Sequence, residues 1–190
     1  EYKRAAYIGR VFQDPMMGTA SEMSIEENLS MAKRRGQRRS LAPGLRGSER
    51  ENYVHILKQL GLGLESRLKD KVGLLSGGQR QALTLLMATI KKPDLLLLDE
   101  HTAALDPTTA TKVLQLTDEL VGEHKLSTLM VTHNMKDAIR VGNRLIMMYE
   151  GRIIYDVRGE EKMNLKTADL MAKFEAASGG EFAEDRMMLN

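Results

Sequence analysis

The stretch LLSGGQRQ at 74–81 sets two glycines at the start of a helical run, an arrangement that turns bare backbone N–H groups toward a phosphate. Further along, the apolar run LLLL at 95–98 delivers two adjacent acids, Asp99 and Glu100. Ligands of open α/β sheets sit at the carboxyl ends of the strands. There the first carboxylate can help hold Mg²⁺ on a nucleotide, and the second can take a proton from attacking water. The plainer alternative is that acids end a strand because the chain has reached solvent. His133 follows the apolar stretch LMVT and is expected on the same sheet edge as Glu100. A neutral imidazole there would orient water or stabilise charge beside a γ-phosphate, and otherwise it is a surface or cap residue. Gln13 follows Val11 and Phe12 in VFQDP; its amide either ligates Mg²⁺ or positions water, or it belongs to a turn before Pro15. No Gly-Lys pair occurs in the sequence, so the P-loop pattern G-x-x-x-x-G-K-[ST] is absent from it.

The elements that must carry these residues follow from periodicity. The 95–98 run has no polar face and predicts a strand buried on both sides. Asp106 then Pro107 reads as N-cap and first helical position, and Ala110, Val113, Leu114, Thr117, Leu120 and Val121 recur at helical spacing as far as Gly122. STLMVT at 127–132 predicts a second buried strand and MKDAIRVG a short helix. RLIMMY and RIIYDV predict two strands joined by EGR as a tight hairpin. The order is β-α-β-α-β-β, the pattern of units feeding a mostly parallel sheet. Upstream, 26–33 and 49–60 read as helices. Near the end Leu165, Ala168, Leu170, Met171 and Phe174 are spaced along one helical face, followed by a tail expected to fray.

Composition bounds the function classes. With 190 residues and 42% apolar content, the sequence supports one full core and a small lobe beside it. The absence of cysteine excludes a disulfide framework or thiolate metal site within it, and suits a reducing compartment. No apolar run approaches the roughly 18 to 20 residues that span a bilayer, and EYKRAAYIGR lacks the apolar core of a signal peptide. Net charge is only +2, but seven basic residues face the single acid Glu49 in the Gly- and Pro-interrupted stretch at 33–50. That stretch reads as a mobile basic loop: either it contacts anionic lipid headgroups or nucleic acid, or, with no aromatic interleaved for base stacking, it is a solvated linker between two helices, and no site is assigned to it.

Taken together, LSGGQ at 75–79, LLLLDE at 95–100, ALDP at 104–107, His133 after a strand and Gln13 upstream resemble the ABC-type ATPases, whose signature motif, Walker B, D-loop, H-loop and Q-loop occur in this order. The resemblance runs from about Tyr7 to Lys173. It implies an α/β, P-loop NTPase-like domain with a mostly parallel sheet plus a helical subdomain, lacking the N-terminal Walker A portion. On that reading the helical and signature part covers about 20–85, the remaining catalytic core about 90–157, a C-terminal helix 158–176 and a flexible tail 177–190. It further implies that Ser76, Gly77, Gly78 and Gln79 meet a γ-phosphate and that Asp99, with Gln13, supports Mg²⁺. Glu100 is then the general base, His133 senses the γ-phosphate and Asp106 links two sites.

In this family the signature serves the nucleotide of a partner domain. The implied partners are therefore a second ABC ATPase domain in a head-to-tail dimer, transmembrane permease subunits and an extracytoplasmic substrate-binding protein. ATP and Mg²⁺ are the implied ligands, and the cytoplasmic face of the membrane the implied place. The missing P-loop reads as a missing N-terminal segment, so the 190-residue chain alone is expected to be inactive. A nucleic-acid ATPase is disfavoured because no long heptad arm interrupts the domain and no second cassette follows; a non-catalytic regulator or fragment is favoured by the absent P-loop but opposed by Glu100 and His133. GRVFQDPMMGTASEMSIEENL and GNRLIMMYEGRIIYDV resemble bacterial importer subunits grouped with binding proteins for amino acids such as tryptophan or tyrosine. His101, standing where many members have Pro, reads as a subgroup marker without catalytic duty.

Overall fold

The computed structural model describes residues 3–37, 44, 45 and 47–178. They form two compact units, Glu1–Val131 and Thr132–Asn190. The expected frayed tail lies outside the described residues from 179 onward, as do Arg38, Arg39 and Arg46 of the basic stretch.

The first unit is built on three parallel strands, β1 (Ile8–Val11), β2 (Leu95–Asp99) and β3 (Thr128–Val131), with β2 central. Val11 stands opposite Leu98, and Asp99 opposite Val131. This register brings the carboxyl ends of β1, β2 and β3 to one edge, and that edge leads into Gln13 and Glu100. Strand β1 was not marked by the sequence pattern, because four residues holding Gly9 and Arg10 are too short and mixed to alternate.

Helix α1 (Ile25–Lys33) starts at a reciprocal capping box: Glu27 N–H donates to Ser24 Oγ at 3.3 Å, and Ser24 N–H to Glu27 Oε2 at 2.7 Å. Helix α2 is Gly47–Gln59 and α3 is Gly77–Thr89. The described cations of the basic stretch are spent inside the unit. Arg50 grips Glu26 at 2.7 and 2.8 Å, Lys33 and Arg34 share Glu49, and Arg35 donates to the carbonyls of Ala88 and Lys91 at the end of α3. They tie α1, α2 and α3 together, where a solvated linker would leave them in water.

Helix α4 (Pro107–His124) connects β2 to β3, beginning where Asp106–Pro107 predicts. It continues past Gly122, and the chain turns at Lys125, whose φ of 48° supplies the left-handed cap. The core gathers the apolar stripes of α1 to α4 around Val11, Leu96 and Leu98, with Ile25, Leu29, Tyr53, Leu57, Leu83, Leu85 and Leu120 among its members. Burial of β2 and β3 departs from expectation. Leu96 and Leu98 are buried, but Leu95 and Leu97 are half-buried, and on β3 Leu129 and Val131 are 54% and 51% exposed. Apolar runs without alternation mark strands covered on both faces; among the described residues the helices pack one face of β2, and β3 is an edge.

The second unit holds α5 (Met135–Arg140), the antiparallel pair β4 (Arg144–Tyr149) and β5 (Arg152–Arg158), α6 (Gly159–Met163) and α7 (Thr167–Ala177). The hairpin closes through Glu150 and Gly151, both at positive φ (46° and 75°), the geometry of a two-residue primed turn. Leu145, Val157 and Leu170 form its core, and Tyr149 meets Phe174 edge-on at 5.4 Å between ring centroids. Ala168, expected on the inward face of α7, is exposed.

Candidate functional site

The glycine turn at 76–79 opens α3. Ser76 is its N-cap and forms a second capping box: Gln79 N–H donates to Ser76 Oγ at 3.3 Å, and Ser76 N–H to Gln79 Oε1 at 3.2 Å. Arg80 N–H bonds the Ser76 carbonyl at 2.9 Å. Of the first-turn donors, the N–H groups of Gly77 and Gly78 are those to which neither interaction assigns an acceptor. Gln79 is further held by donating Nε2–H to the Leu62 carbonyl at 3.2 Å. Below the turn, Arg80 staples the preceding loop by donating to the carbonyls of Val72, Gly73 and Leu75. A rigid, dipole-positive helix start of this kind suits an anion.

Against that turn lies the loop entering α4. A Cβ on Gly77 would stand 3.5 Å from Leu105 Cδ2, whereas one on Gly78 would stand 2.1 Å from Thr109 Cγ2. Asp106 is exposed and caps α4, accepting from Thr109 N–H at 3.0 Å. Hydrogen bonds from the Thr109 hydroxyl and then its amide hold the Asp106 carboxyl below the usual range. A cleft of about 420 Å³ adjoins the turn between the end of α2 and helices α3 and α4, with Leu60, Ser76, Gln79, Thr109 and Leu116 in its wall. Gln13, Asp99 and Glu100 do not line it.

Those three residues gather instead at the carboxyl edge of the sheet. Asp99 ends β2 and receives the guanidinium of Arg10 from β1 at 3.0 Å. Glu100 follows at φ 44°, a left-handed conformation that costs an L-residue roughly 1–2 kcal/mol. It is held by Glu100 N–H to the Val131 carbonyl at 3.0 Å and Ala103 N–H to the Glu100 carbonyl at 2.9 Å. Such strain clusters at functional positions. Gln13 is exposed just beyond β1, and the preceding carbonyl, that of Phe12, accepts Gln81 Nε2–H at 3.1 Å. Gln81 itself is fully buried on α3.

His133 belongs to the second unit. It is exposed and immediately precedes Asn134, whose side chain caps α5 by accepting from Lys136 and Asp137 N–H at 3.0 and 3.2 Å. His101 is 2% exposed, with Nε2 3.0 Å from Thr117 Oγ1. Thr117 gives its only hydroxyl proton to the Val113 carbonyl at 2.8 Å, so the imidazole carries its proton on Nε2 and donates. Burial pushes its pKa down to about 4.

Sequence reasoning missed Arg10, Gln81 and Thr109. Gln81 carried a signal, a lone amide within the apolar face of a helix. Arg10 and Thr109 carried none, since each matters through a partner distant in the sequence.

A parallel sheet with Asp-Glu at its carboxyl edge, joined to a glycine-led helix, defines the class: an α/β, P-loop NTPase-like ATP-binding cassette. The ABC transporter family model matches residues 2–103, and the chain belongs to that family. It is 48% identical over 177 residues to the tyrosine transport ATP-binding protein of Clostridioides difficile (strain R20291), covering 93% of this chain and 70% of that one. It is 38% identical over 138 residues to the thiamine import ATP-binding protein ThiQ of Yersinia pestis, covering 72% of this chain and 54% of that one. The dimeric cassette MJ0796, solved in a post-hydrolysis state bound to ADP and Pi, matches with a TM-score of 0.66 at 28% identity, over 83% of this chain and 65% of its own. Among the described residues no helix is long and apolar enough to cross a membrane.

Proposed function

We propose that this chain is part of the ATP-binding and hydrolysing subunit that energises a bacterial importer of small solutes, with an aromatic amino acid such as tyrosine as cargo. The observation that carries the reading is the pairing of a Ser76-capped, glycine-led helix start with Asp99 and a strained Glu100 on the sheet edge. The 48% identity to a tyrosine transport ATP-binding protein supports the cargo class.

In the proposed mechanism Gly77 and Gly78 present N–H groups and Ser76 its hydroxyl to a γ-phosphate held by a second, head-to-tail cassette, at a turn whose shape Gln79 fixes through the capping box. Glu100 takes the proton from the attacking water, His133 contacts the γ-phosphate, and Asp106 links the two sites across the interface. Oxygen donors suit Mg²⁺, and Asp99 already accepts a cation, the Arg10 guanidinium. Asp99 and the Gln13 amide would hold the ion, which supplies charge neutralisation on the phosphate oxygens. The parts about 20–85 and 90–157 serve as helical subdomain and catalytic core; the single helix expected over 158–176 is instead the end of β5 followed by the separate helices α6 and α7. Permease subunits and an extracytoplasmic binding protein complete the transporter, with this subunit peripheral on its cytoplasmic side. Having no Gly-Lys pair, the 190 residues alone hydrolyse no ATP.

Two mixed dimers of the complete protein test the composite site. Ser76→Arg on one chain and Glu100→Gln on the other concentrates both defects in one site and leaves the second active. Both changes on one chain spoil both sites. The first dimer is expected to hydrolyse faster, and the opposite ranking sinks the reading. With permease subunits in vesicles and the binding protein supplied on the extracytoplasmic side, ATP-dependent tyrosine uptake is expected; hydrolysis without uptake of any amino acid overturns the cargo class.

A further inference from the structure

We propose that Thr109 is a positioning residue that locks the signature turn at 76–78 to the Asp106 cap of α4, so that both partner-facing elements move as one body. This rests on the reading that the turn meets a nucleotide across a dimer interface.

The case begins with why position 78 is glycine. Gly78 is buried in the first turn of α3 and is not among the glycines at positive φ, so its backbone places no demand for glycine. What requires it is space. A Cβ there would lie 2.1 Å from Thr109 Cγ2, far inside any tolerated carbon contact, but 3.5 Å from Thr109 Cβ and 3.8 Å from Oγ1, which are ordinary van der Waals distances. One methyl group therefore fills the gap above the Gly78 Cα. The neighbouring position differs: a Cβ on Gly77 meets only Leu105 Cδ2 at 3.5 Å.

That methyl is held in place. Thr109 N–H donates to Asp106 Oδ1 at 3.0 Å, so the residue that carries the methyl is tied to the cap. A β-branched side chain in a helix is stiff at χ1, and Cγ2 faces Gly78. Leu105 Cδ2, 3.5 Å from where a Cβ on Gly77 would stand, lies on the side of the loop before the cap. A displacement of the start of α3 thus pushes directly on the α4 cap, and a movement of Asp106 is returned to the donors at Gly77 and Gly78. In a cassette that meets its partner through both elements, this contact keeps phosphate contact and inter-site contact in register.

The test uses the complete protein as its dimer, with ATP and Mg²⁺, reading kcat, KM and melting temperature. Gly78→Ala is expected to lower kcat at least about tenfold. Adding Thr109→Ser removes Cγ2 while keeping the hydroxyl, and the double variant is expected to recover kcat to within about threefold of Thr109→Ser alone. A double variant no more active than Gly78→Ala, with both melting like the wild type, overturns the lock and assigns the glycine to the phosphate instead. Full activity in Gly78→Ala also overturns it. If Gly78→Ala does not accumulate folded, Thr109→Ser alone decides. It removes the methyl over Gly78 while keeping the Thr109 N–H bond to Asp106, and kcat is expected to fall about three- to tenfold with KM for ATP held; wild-type kcat overturns the proposal. The mixed-dimer ranking involves no change at Thr109, so failure there removes the composite-site reading separately.

Discussion

The Arg10 guanidinium lies 3.0 Å from the Asp99 carboxylate, carried there by the parallel pairing of β1 with β2. Arg10 also covers the Phe12 ring at 4.4 Å from its centroid, which steadies it over the acid. Their side chains are 52% and 46% exposed, so the pair adds little to stability. Its consequence is electrostatic: the carboxylate proposed to support Mg²⁺ already faces a cation from its own chain.

Removing that cation should ease metal binding. In the complete protein at saturating ATP, Arg10→Ala is expected to lower the Mg²⁺ concentration for half-maximal hydrolysis by a factor of about 1.5 to 5, the range spanned by an exposed pair of roughly 0.2–1 kcal/mol. A Mg²⁺ titration of hydrolysis reads this. An unchanged or higher requirement means that Arg10 does not compete for Asp99.

Glu100 combines an acid with a left-handed backbone, and two substitutions separate these properties. Glu100→Gln is expected to keep nucleotide binding while slowing hydrolysis about 10²-fold or more, the scale of a lost general base. Glu100→Gly should be equally slow yet more stable to urea by about 1 kcal/mol, since glycine adopts φ 44° without the Cβ clash. Near-normal hydrolysis in the first variant, or no gain of stability in the second, contradicts the corresponding half.

The features legible in the sequence are those written locally. LLLLDE gives a strand and its terminal acids, and Asp106–Pro107 gives the start of α4. Where local pattern met tertiary context, it failed. STLMVT has the composition of a covered strand, yet Leu129 and Val131 are exposed because cover comes from neighbours that a periodicity does not name. Arg10 with Asp99, 89 residues apart, and Gln81 with Phe12, 69 apart, depend on strand register and helix packing. His101 reads as a subgroup marker standing where many relatives have Pro, and its burial against Thr117 follows from how α4 docks.

That burial makes His101 a source of acid sensitivity. Its folded pKa of about 4 lies below an unfolded value near 6.5, so the folded state binds fewer protons than the unfolded one between these limits. The stabilising effect of the neutral imidazole is therefore complete above about pH 6.5 and is lost as pH falls toward 4, at up to about 1.4 kcal/mol per pH unit. His101→Gln keeps an N–H donor for Thr117 but does not titrate. Urea unfolding of the complete protein at pH 7 and pH 4.5 should show the wild type losing more stability than the variant, on the order of 2–3 kcal/mol more. Parallel losses would show that the imidazole is not desolvated.

Gln81 offers a sharper test of how α3 holds the sheet edge. Its side chain is fully buried, with Nε2–H donating to the Phe12 carbonyl and Oε1 buried without a hydrogen-bond partner. An unsatisfied buried acceptor costs about 1–3 kcal/mol, close to what the single donated bond returns when its own partner is considered. Gln81→Met, similar in volume and apolar, removes both terms together, so global stability should change by less than about 1 kcal/mol. The local effect should be larger, because the Phe12 carbonyl immediately before Gln13 loses its tether to α3. Amide hydrogen exchange at Gln13 and Asp14 is then expected to accelerate about tenfold while exchange in the middle of α3 holds its wild-type rate. Gln81→Glu should behave oppositely, setting a buried carboxylate against a carbonyl and costing about 3 kcal/mol or more. Uniformly faster exchange in the Met variant, or a Glu variant as stable as the wild type, would mean that Gln81 does not tether the segment that carries Gln13.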